Sequence, residues 1–309
     1  MISVLIPSRN EVFLIKTIQD ILAKAEGEIE VIAVIDENWP TEAKREFWST
    51  PAKISDPRVK FIHPDTPKGM RWGINNAVKE ARGEYLLKCD GHCLFAPGFD
   101  QTLLADMQDN WIVIPRRYSL DAENWAIEKN GKPPRDYHFL CYPYLNKDHD
   151  EGMHGVEWKA RGYERSDPQY DIDDTMSFQG SCWFMKKTWF TDFLKEMDEE
   201  HYGLFAQEPQ EIGNKTWLGG GEIKVNKKTW YAHLHKGKRY GRMYHISQGE
   251  IIKGHNYSAT YWMSNTWPER IHDLPWLIEK FWPVPTWPED RSLWTEEGRK
   301  HITQSGERI

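Results

Sequence analysis

The sequence predicts an α/β protein with a mostly parallel, doubly wound sheet and a tryptophan-rich C-terminal extension. Two observations lead to this fold class. Apolar runs of strand length alternate with helix-like segments through the first 115 residues, an order typical of parallel sheets with helices on both faces. In addition, Asp36 and Asp90 directly follow two of the apolar runs. In such folds ligands bind at the edge of the sheet where the strands end.

The alternating segments are assigned from their apolar spacing. Short apolar runs bounded by turn residues predict strands, and apolar residues three and four apart predict helices. The predicted strands are Ile2–Ile6, Glu30–Ile35, Val59–Ile62, Tyr85–Cys89 and Trp111–Pro115. The predicted helices are Val12–Ala25, Pro40–Trp48, Arg71–Arg82 (with Gly83 as its C-cap) and Asp100–Gln108. Right-handed crossovers would make successive strands parallel.

The alternation stops at residues 116–176, which are polar and rich in proline and tyrosine. This stretch is longer than ordinary loops, which indicates either a functional lid or small extra strands. Regular elements return afterwards. They are a strand at Ser177–Met185, helices at Lys187–Met197 and Gln207–Leu218, and two short strands at Glu222–Val225 and Thr229–Leu234.

The C-terminal residues 243–309 carry six tryptophans among several prolines. They show no repeat of fixed period, so we interpret them as a segment that wraps around the sheet and packs against it. The tryptophans are Trp262, Trp267, Trp276, Trp282, Trp287 and Trp294.

Composition limits the class of protein. The 309 residues have a net charge of −7, so overall electrostatics do not indicate a nucleic-acid-binding protein, although a local patch could. No apolar run approaches the roughly 20 residues of a membrane span, and a strand begins at residue 2, leaving no room for a leader. Four cysteines are too few for a disulfide scaffold, which predicts reduced thiols and a cytoplasmic location.

The sequence Asp90-Gly91-His92 follows a predicted strand. Residues two apart in an extended chain point the same way, so Asp90 and His92 present a carboxylate and an imidazole to one place. That pair suits Mn²⁺ or a similar divalent ion. A strand-ending turn with a capping aspartate is the alternative. A zinc site with Cys89 and Cys93 is disfavoured, because Cys89 and His92 face opposite sides of the strand.

Several motifs occur in an order that resembles a known family. They are Ile6–Glu11 after the first strand, Asp36 after the second, and Gly69, Asn75–Ala77 and Ala81–Tyr85 before Asp90. Together they resemble family 2 glycosyltransferases of the Rossmann-like GT-A fold. Asp-Gly-His-Cys is most similar to the Asp-Ser-His-Cys of polypeptide N-acetylgalactosaminyltransferases. Further matches are Gln179–Phe184, Gln207–Glu211, Trp217 with Gly219–Gly221, and Tyr231–His233. The lectin domain and membrane anchor of the animal enzymes have no counterpart, so the resemblance does not fix a peptide acceptor.

The resemblance implies a metal site and a nucleotide-sugar site. Asp90, His92 and His233 would bind Mn²⁺ or another divalent cation, with His235 as the alternative third ligand. A solvated His233, a turn-capping Asp36 and a surface salt bridge of Arg71 are the other interpretations. The implied nucleotide-sugar-binding residues are Pro7, Ser8, Arg9, Asn10, Asp36, Arg71, Asp90, Gly91, Gln179, Gly180, Lys238 and Arg239.

Two glutamates one helical turn apart, Glu208 and Glu211, are the candidate catalytic residues. A positioned carboxylate acts as general base in inverting enzymes. In retaining relatives the matching glutamate positions sugar or acceptor, and the resemblance favours retention. Glu208 matches the family position better, although an ordinary exposed helix shows the same spacing.

The segment Lys224–Arg242 has seven cations and no acidic residue. Such a segment could close over a departing diphosphate, follow a phosphate backbone, or form a solvated face.

The predicted function is metal-dependent transfer of a sugar from a UDP-sugar to a hydroxyl of a protein, glycan or modified nucleobase, including hydroxymethylated DNA bases. The predicted units are a 1–242 catalytic domain, with a 1–115 nucleotide half and a 116–242 acceptor and metal half, and the 243–309 wrapping segment. A nucleotidyltransferase and a non-catalytic carbohydrate-binding protein are the alternatives; the former lacks its glycine-rich loop at Pro7–Asn10.

Overall fold

A computed structural model of the chain describes residues 1–37, 54–144, 152–203, 205–241 and 246–302. The side chains of Lys238 and Arg239 also lie outside the description. The predicted helix Pro40–Trp48 falls outside the described residues.

The described residues form twelve strands and nine α-helices. The strands are β1 Ile2–Ser8, β2 Ile29–Ile35, β3 Val59–Ile62, β4 Tyr85–Cys89, β5 Cys93–Phe95, β6 Trp111–Asp121, β7 Ala126–Ile127, β8 His138–Leu140, β9 Gly155–Glu157, β10 Ile172–Asp174, β11 Cys182–Lys186 and β12 Glu222–His233. The helices are α1 Leu14–Lys24, α2 Met70–Glu80, α3 Phe99–Ala105, α4 Lys159–Glu164, α5 Glu208–Leu218, α6 Gly237–Tyr240, α7 Gln248–Met263, α8 Leu274–Lys280 and α9 Glu296–Arg299. A π-helical turn spans Trp189–Leu194, and 3₁₀ turns span Pro168–Tyr170 and Arg291–Leu293.

The central sheet has the order β10-β12-β6-β11-β4-β1-β2-β3, with β5 paired to β12 and β7 to β6. The four strands β3, β2, β1 and β4 are parallel, as predicted, and β6 and β12 are parallel to each other. β11 lies antiparallel between β4 and β6, so the second half of the sheet is mixed. Strands β8 and β9 form a separate small sheet. The predicted α/β fold class is confirmed.

The core explains why β1 and β2 are apolar along almost their whole length. Alternate residues of a strand face opposite sides of the sheet. Val4 and Ile6 pack with Ile18 of α1 in one cluster, whereas Leu5 packs with Ile74 of α2 in the other. Helices therefore cover both faces, and buried parallel strands read as continuous apolar runs.

Four sequence predictions need correction. Helix α2 ends at Glu80 with an extended Ala81 as C-cap. Gly83 instead allows close approach of the first strand, because a Cβ there would lie 2.6 Å from the Ser3 nitrogen. The predicted helix Lys187–Met197 is only the π-helical turn. The predicted strand Ser177–Met185 begins at Cys182.

The last correction concerns β12, which was predicted as two strands. Its pairing with β6 shifts register between Asn226 and Trp230, so an irregularity absorbs the polar stretch without ending the strand. The long 116–176 stretch contains small strands, the second of the two predicted possibilities.

The C-terminal tryptophans pack against the sheet. Trp262 and Trp294 are buried in the same cluster as Trp183 of β11 and Trp217 of α5. The indole nitrogen of Trp287 donates to the Leu140 carbonyl at 2.7 Å. The division of the chain at residue 242 stays a prediction, since residues 242–245 lie outside the description. None of the described helices is long and apolar enough to cross a membrane.

Candidate active site

A cleft of about 680 Å³ opens where several strands end. Ser8 ends β1, Asp36 follows β2, Asp90 follows β4 and His233 ends β12, and all four residues line the cleft. These strands run in the same direction, because β11 is antiparallel to both β4 and β6. The cleft therefore lies at the sheet edge where open α/β folds bind ligands.

Asp90, His92 and His233 offer ligand atoms that all lie within 4.8 Å of one another. The Nε2 atom of His233 is 3.1 Å from Oδ2 of Asp90, and that of His92 is 3.9 Å from the same oxygen. Strand pairing creates this arrangement, because β12 places His233 opposite Cys93 of β5. One carboxylate and two imidazoles form a donor set that fits a first-row divalent cation.

The protonation states of Asp90 and His233 suit metal binding. Burial alone would raise the pKa of Asp90, but Lys88 and the two histidines hold it well below its usual value. Burial lowers the pKa of His233 to about 3, despite the hydrogen bond with Asp90. The site therefore offers an ionised carboxylate and a neutral imidazole, the forms that bind cations.

Glu11 ends the Ile6–Glu11 motif, and no role was predicted for it from the sequence. Its Oε2 accepts a hydrogen bond from Nδ1 of His92 at 2.9 Å and pairs with Nζ of Lys236 at 2.5 Å. Burial would raise the pKa of Glu11, but His92 and Lys236 lower it. The contact leaves Nε2 of His92 free for a metal, the usual carboxylate–histidine–metal arrangement. Gly91 makes room, because a Cβ there would lie 2.8 Å from Cγ of Glu11.

Lys88 was missed altogether, although a lysine inside the apolar strand Tyr85–Cys89 is a visible signal. Its buried Nζ lies 3.0 Å from Oδ1 of Asp90 and 3.1 Å from Oε2 of Glu208, and it also donates to the Gly180 carbonyl. Burial would lower the pKa of Lys88, but the two carboxylates raise it. Lys88 therefore stays charged and links the predicted catalytic glutamate to the predicted metal ligand.

Glu208 is held at both oxygens. Oε1 accepts from the indole nitrogen of Trp183 at 2.7 Å, and Oε2 contacts Lys88. Burial raises the pKa of Glu208, and Lys88 opposes that rise. Gly180 lies so close that an added Cβ would be 2.7 Å from Oε2. Gln179 precedes it, and its buried Oε1 has no hydrogen-bond partner among the described residues.

Glu211 belongs to a different cluster. It forms a buried ion pair with Arg71, accepts the Asp198 backbone N–H at 3.1 Å and pairs with Nζ of Lys215 at 2.7 Å. The guanidinium of Arg71 lies 4.4 Å from the Tyr202 ring centre. Neither Arg71 nor Glu211 is among the described residues that line the cleft.

The predicted nucleotide residues of the first βα turn lie beside the metal ligands. Pro7, Ser8 and Arg9 line the cleft, and Asn10 is buried with a positive φ of 48°. Asp36 is already well bonded: it accepts the backbone N–H of Lys68 and of Gly69, each at 2.8 Å, and pairs with Arg9. Asp36 therefore anchors the start of α2 at the cleft wall.

The basic segment Lys224–Arg242 is divided between strand β12 and the cleft. Lys224, Lys227 and Lys228 belong to strand β12, where Lys224 pairs with Asp174 at 2.6 Å and Lys228 with Asp106 at 2.9 Å. At about 3.3 Å per residue, Lys224 is roughly 30 Å along the strand from its last residue. In the second half Lys236 reaches the cleft. The side chains of Lys238 and Arg239, and the whole of Arg242, lie outside the description.

His235 is the alternative third ligand, but two arginines occupy its ring nitrogen. Nη2 of Arg117 lies 2.5 Å and Nη1 of Arg135 lies 2.6 Å from its Nε2. Nη2 of Arg117 is also 3.4 Å from Nδ1 of His233. Burial and the positive charges of Arg117 and Arg135 together lower the pKa of His235 to about 4. The geometry favours His233 over His235 as the metal ligand.

Comparison with known families decides the class of protein. The profile of the family described as "Glycosyl transferase family 2" matches residues 3–194, more than half of the chain. The chain belongs to glycosyltransferase family 2. The predicted enzyme class is thereby confirmed. A search of curated proteins gave no match for this glycosyltransferase.

Solved structures confirm the GT-A fold. The crystal structure of GalNAc-T7 with UDP, GalNAc and Mn²⁺ aligns with a TM-score of 0.69 and 15% identity over 91% of this chain. The alignment spans 56% of the GalNAc-T7 chain. Staphylococcus aureus TarS 1-349 in complex with UDP-GlcNAc aligns with a TM-score of 0.52 and 15% identity, over 97% of this chain and 71% of that one. At such identities the likeness concerns the fold.

Proposed function

We propose that this glycosyltransferase transfers a sugar from a UDP-sugar to a hydroxyl acceptor, with retention and with a divalent cation. The convergence of Asp90, His92 and His233 at the cleft carries the proposal. The crystal structure of GalNAc-T7 contains UDP, GalNAc and Mn²⁺, and that of TarS 1-349 contains UDP-GlcNAc. The first βα turn, predicted to bind the nucleoside, lines the same cleft.

The chain's own residues would prepare the metal site. Asp90, His92 and His233 would hold Mn²⁺ or another divalent cation, and Glu11 fixes the ring of His92 through Nδ1. When bound, such a cation supplies Lewis-acid stabilisation of the diphosphate charge. Lys236, which pairs with Glu11 at the cleft, adds a positive charge near the leaving group.

The other residues predicted to bind the nucleotide sugar fall into two groups, those that line the cleft and those that stabilise its wall. We assign Pro7, Ser8 and Arg9 to the nucleoside because they line the cleft. Asp36 shapes the wall behind them through its backbone contacts. We assign Arg71 to support, because its guanidinium is buried against Glu211.

The transfer step requires a balanced exchange at the sugar's anomeric carbon. The bond from that carbon to the diphosphate oxygen breaks while a bond to the acceptor oxygen forms. In a retaining transfer, the acceptor proton passes to the departing phosphate oxygen, so no protein base is needed. Glu208, which is not among the described residues that line the cleft, then serves to hold Lys88 against Asp90.

The acceptor hydroxyl is the least constrained part of the proposal. The basic segment predicted from the sequence gives little support to a DNA acceptor, because its first three lysines lie in β12 and two of them pair with carboxylates. Protein and glycan hydroxyls stay open. A cytoplasmic location is also part of the proposal, and the four free, buried cysteines are consistent with a reducing compartment.

Calorimetry with UDP tests the proposal without knowledge of the acceptor. UDP should bind in the presence of Mn²⁺ and much more weakly in EDTA. His233→Ala should weaken Mn²⁺-dependent binding strongly and His235→Ala much less, since the Nε2 of His235 is taken by two arginines. The reverse order would move the third ligand to His235. Equal UDP binding with and without Mn²⁺ would refute the metal-dependent function. A screen for UDP-sugar hydrolysis would then identify the donor sugar.

A further inference from the structure

Two arginines lie beside Asp90, His92 and His233, the proposed metal ligands (here called the metal triad), and have no role in the proposed transfer. Arg117 lies in β6 and Arg135 in the loop before β8, and the backbone N–H of Arg135 donates to the Arg117 carbonyl at 2.8 Å. This contact brings both side chains to the exposed ring of His235 at the cleft rim. The guanidinium groups converge on its single Nε2, at 2.5 and 2.6 Å.

This arrangement leaves positive charge unbalanced. A neutral imidazole nitrogen has one lone pair, so it cannot fully satisfy two cationic donors. Arg117 is only 2% exposed, and its Nε has no hydrogen-bond partner within the described part of the chain. No salt bridge joins Arg117 to a carboxylate among those residues, and Arg135 has only Glu157 at 3.4 Å. A buried cation without a counter-charge is costly.

The neighbouring residue shows what a satisfied arginine looks like in the same strand. Arg116 forms a salt bridge with Asp136 through two guanidinium nitrogens, with Nε 3.1 Å and Nη2 2.8 Å from Oδ2 of Asp136. Arg117, one residue later, points to the opposite face and meets only histidines at its guanidinium. Arg117 therefore lacks an anionic partner among the described residues, and an anion bound from outside them would supply it.

The position of the pair indicates which substrate carries that anion. The end of β12 pairs with β5 on one side and with β6 on the other, so Arg117 lies across His233 from Asp90 and His92. Ser8 and Asp36, at the ends of β1 and β2, lie on the far side of β4. The arginines are thus separated from the predicted nucleoside site by the proposed metal ligands. Under the proposed function, the side away from the nucleoside is the acceptor side.

We propose that Arg117, Arg135 and His235 form a subsite for an oxyanion, a phosphate or carboxylate group carried by the acceptor. Planar guanidinium groups bind such oxyanions through paired N–H donors. An oxyanion between the two arginines would replace the shared contact on His235 and provide the missing counter-charge of Arg117. The assignment to the acceptor rests on the proposed function, because only a donor bound at the triad makes this the acceptor side.

Titration with inorganic phosphate, by calorimetry in EDTA without nucleotide, tests the subsite. Wild-type protein should bind phosphate saturably, and Arg135→Gln should weaken that binding at least about tenfold, since it removes a charged hydrogen bond. Lys195→Gln is the matched control: Lys195 is an exposed cation paired with Glu269, and its loss should change phosphate affinity by less than about twofold. Thermal unfolding should confirm that both variants fold, since Arg135 is half-buried. Equal phosphate affinity in wild type and Arg135→Gln would overturn the subsite.

A second measurement separates acceptor from donor. The affinity for UDP in Mn²⁺ should be the same in Arg135→Gln and wild type within about twofold, because the metal triad lies between Arg135 and the nucleoside. A UDP affinity that falls with phosphate affinity would overturn the acceptor assignment and give the arginines to the donor diphosphate. Failure of wild-type protein to bind UDP would refute the proposed function itself and the acceptor assignment with it. If wild-type protein binds UDP, but Arg135→Gln binds phosphate as tightly as wild type does, the oxyanion subsite is refuted and the proposed function stands.

Discussion

Glu208 and Glu211 lie one helical turn apart in α5, and both are buried, yet they belong to opposite kinds of cluster. Glu208 contacts Lys88, which contacts Asp90, whose side chain is 29% exposed in the cleft. Glu211 is enclosed by Arg71 and Lys215. The Glu211 cluster is closed, since its ion pairs are buried. The Glu208 cluster is open, because it ends at the carboxylate of Asp90, which can bind a cation in the cleft. The type and spacing of the two glutamates do not distinguish these clusters. The exposure of Asp90, at the end of the Glu208 cluster, does.

The closed cluster should matter for stability. In Glu211→Gln, Arg71 would be left as a buried charge without its partner, which should lower the free energy of unfolding by about 3–5 kcal/mol. Denaturant unfolding measures this loss. Glu196→Gln, at an exposed pair with Lys79, should cost less than about 1 kcal/mol. A stable Glu211→Gln with impaired UDP binding would place Glu211 in the active site and end the distinction.

The open cluster should matter for binding. Asp90→Ala should lower UDP affinity in Mn²⁺ by at least about 100-fold, roughly 2.7 kcal/mol, because the proposed metal loses its only carboxylate ligand. Calorimetry measures the affinity, and the fold should be retained at this partly exposed position. Asp106→Ala is the control, since its side chain is also 29% exposed and also contacts a lysine. Wild-type affinity in Asp90→Ala would refute the metal assignment.

A substitution at Glu11 tests whether a residue that contacts a proposed metal ligand, here His92, also contributes to metal affinity. Glu11→Gln removes the charge that orients His92, and such changes lower metal affinity by about 10–100-fold. Mn²⁺ titration, followed by electron paramagnetic resonance of the free ion, measures the loss. Glu30→Gln offers a comparison, because Glu30 is a buried glutamate bonded to Ser3 and Arg82 away from the cleft. Equal Mn²⁺ affinities in both variants and wild type would confine the site to its three ligands.

Glu208 should show the smallest effect of the four. Glu208→Gln should lower turnover at least about tenfold, roughly 1.4 kcal/mol of barrier, with little change in UDP affinity. Hydrolysis of the UDP-sugar is the readout, so no acceptor is required. An undiminished rate, together with an inactive but folded Glu211→Gln, would transfer the catalytic role to Glu211.

Local patterns were enough for much of the fold and for proposing two of the three candidate metal ligands. Strands β3 and β4 begin and end where the apolar runs do, because turn-forming residues bound both short strands. Asp90 and His92 were predicted together from the two-residue period of an extended chain, whereas in the structure Gly91 and His92 form a turn between β4 and β5. The third ligand, His233, came from motif order, which preserves a contact between residues 143 positions apart.

The supporting contacts could not be predicted in the same way. Lys88 meets Glu208 across 120 residues, and Arg71 meets Glu211 across 140. No local period signals such pairs, since their energy depends on burial that only the assembled core creates. The continuity of β12 was missed for the opposite reason: its polar centre looks like a loop, but pairing with β6 and β10 holds it in the sheet.

The buried tryptophans of the C-terminal segment make the folding unit larger than the family segment. The matched region ends at residue 194, yet Trp217, Trp262 and Trp294 share one core cluster with Trp183 of β11. Domain boundaries that tolerate exchange lie in exposed linkers crossed by few contacts. An exchange of sequence between family members at residue 194 would instead cut through a packed interior. Evolution or engineering of new acceptor specificity in this enzyme should therefore proceed by substitution within loops and not by transplanting its C-terminal third.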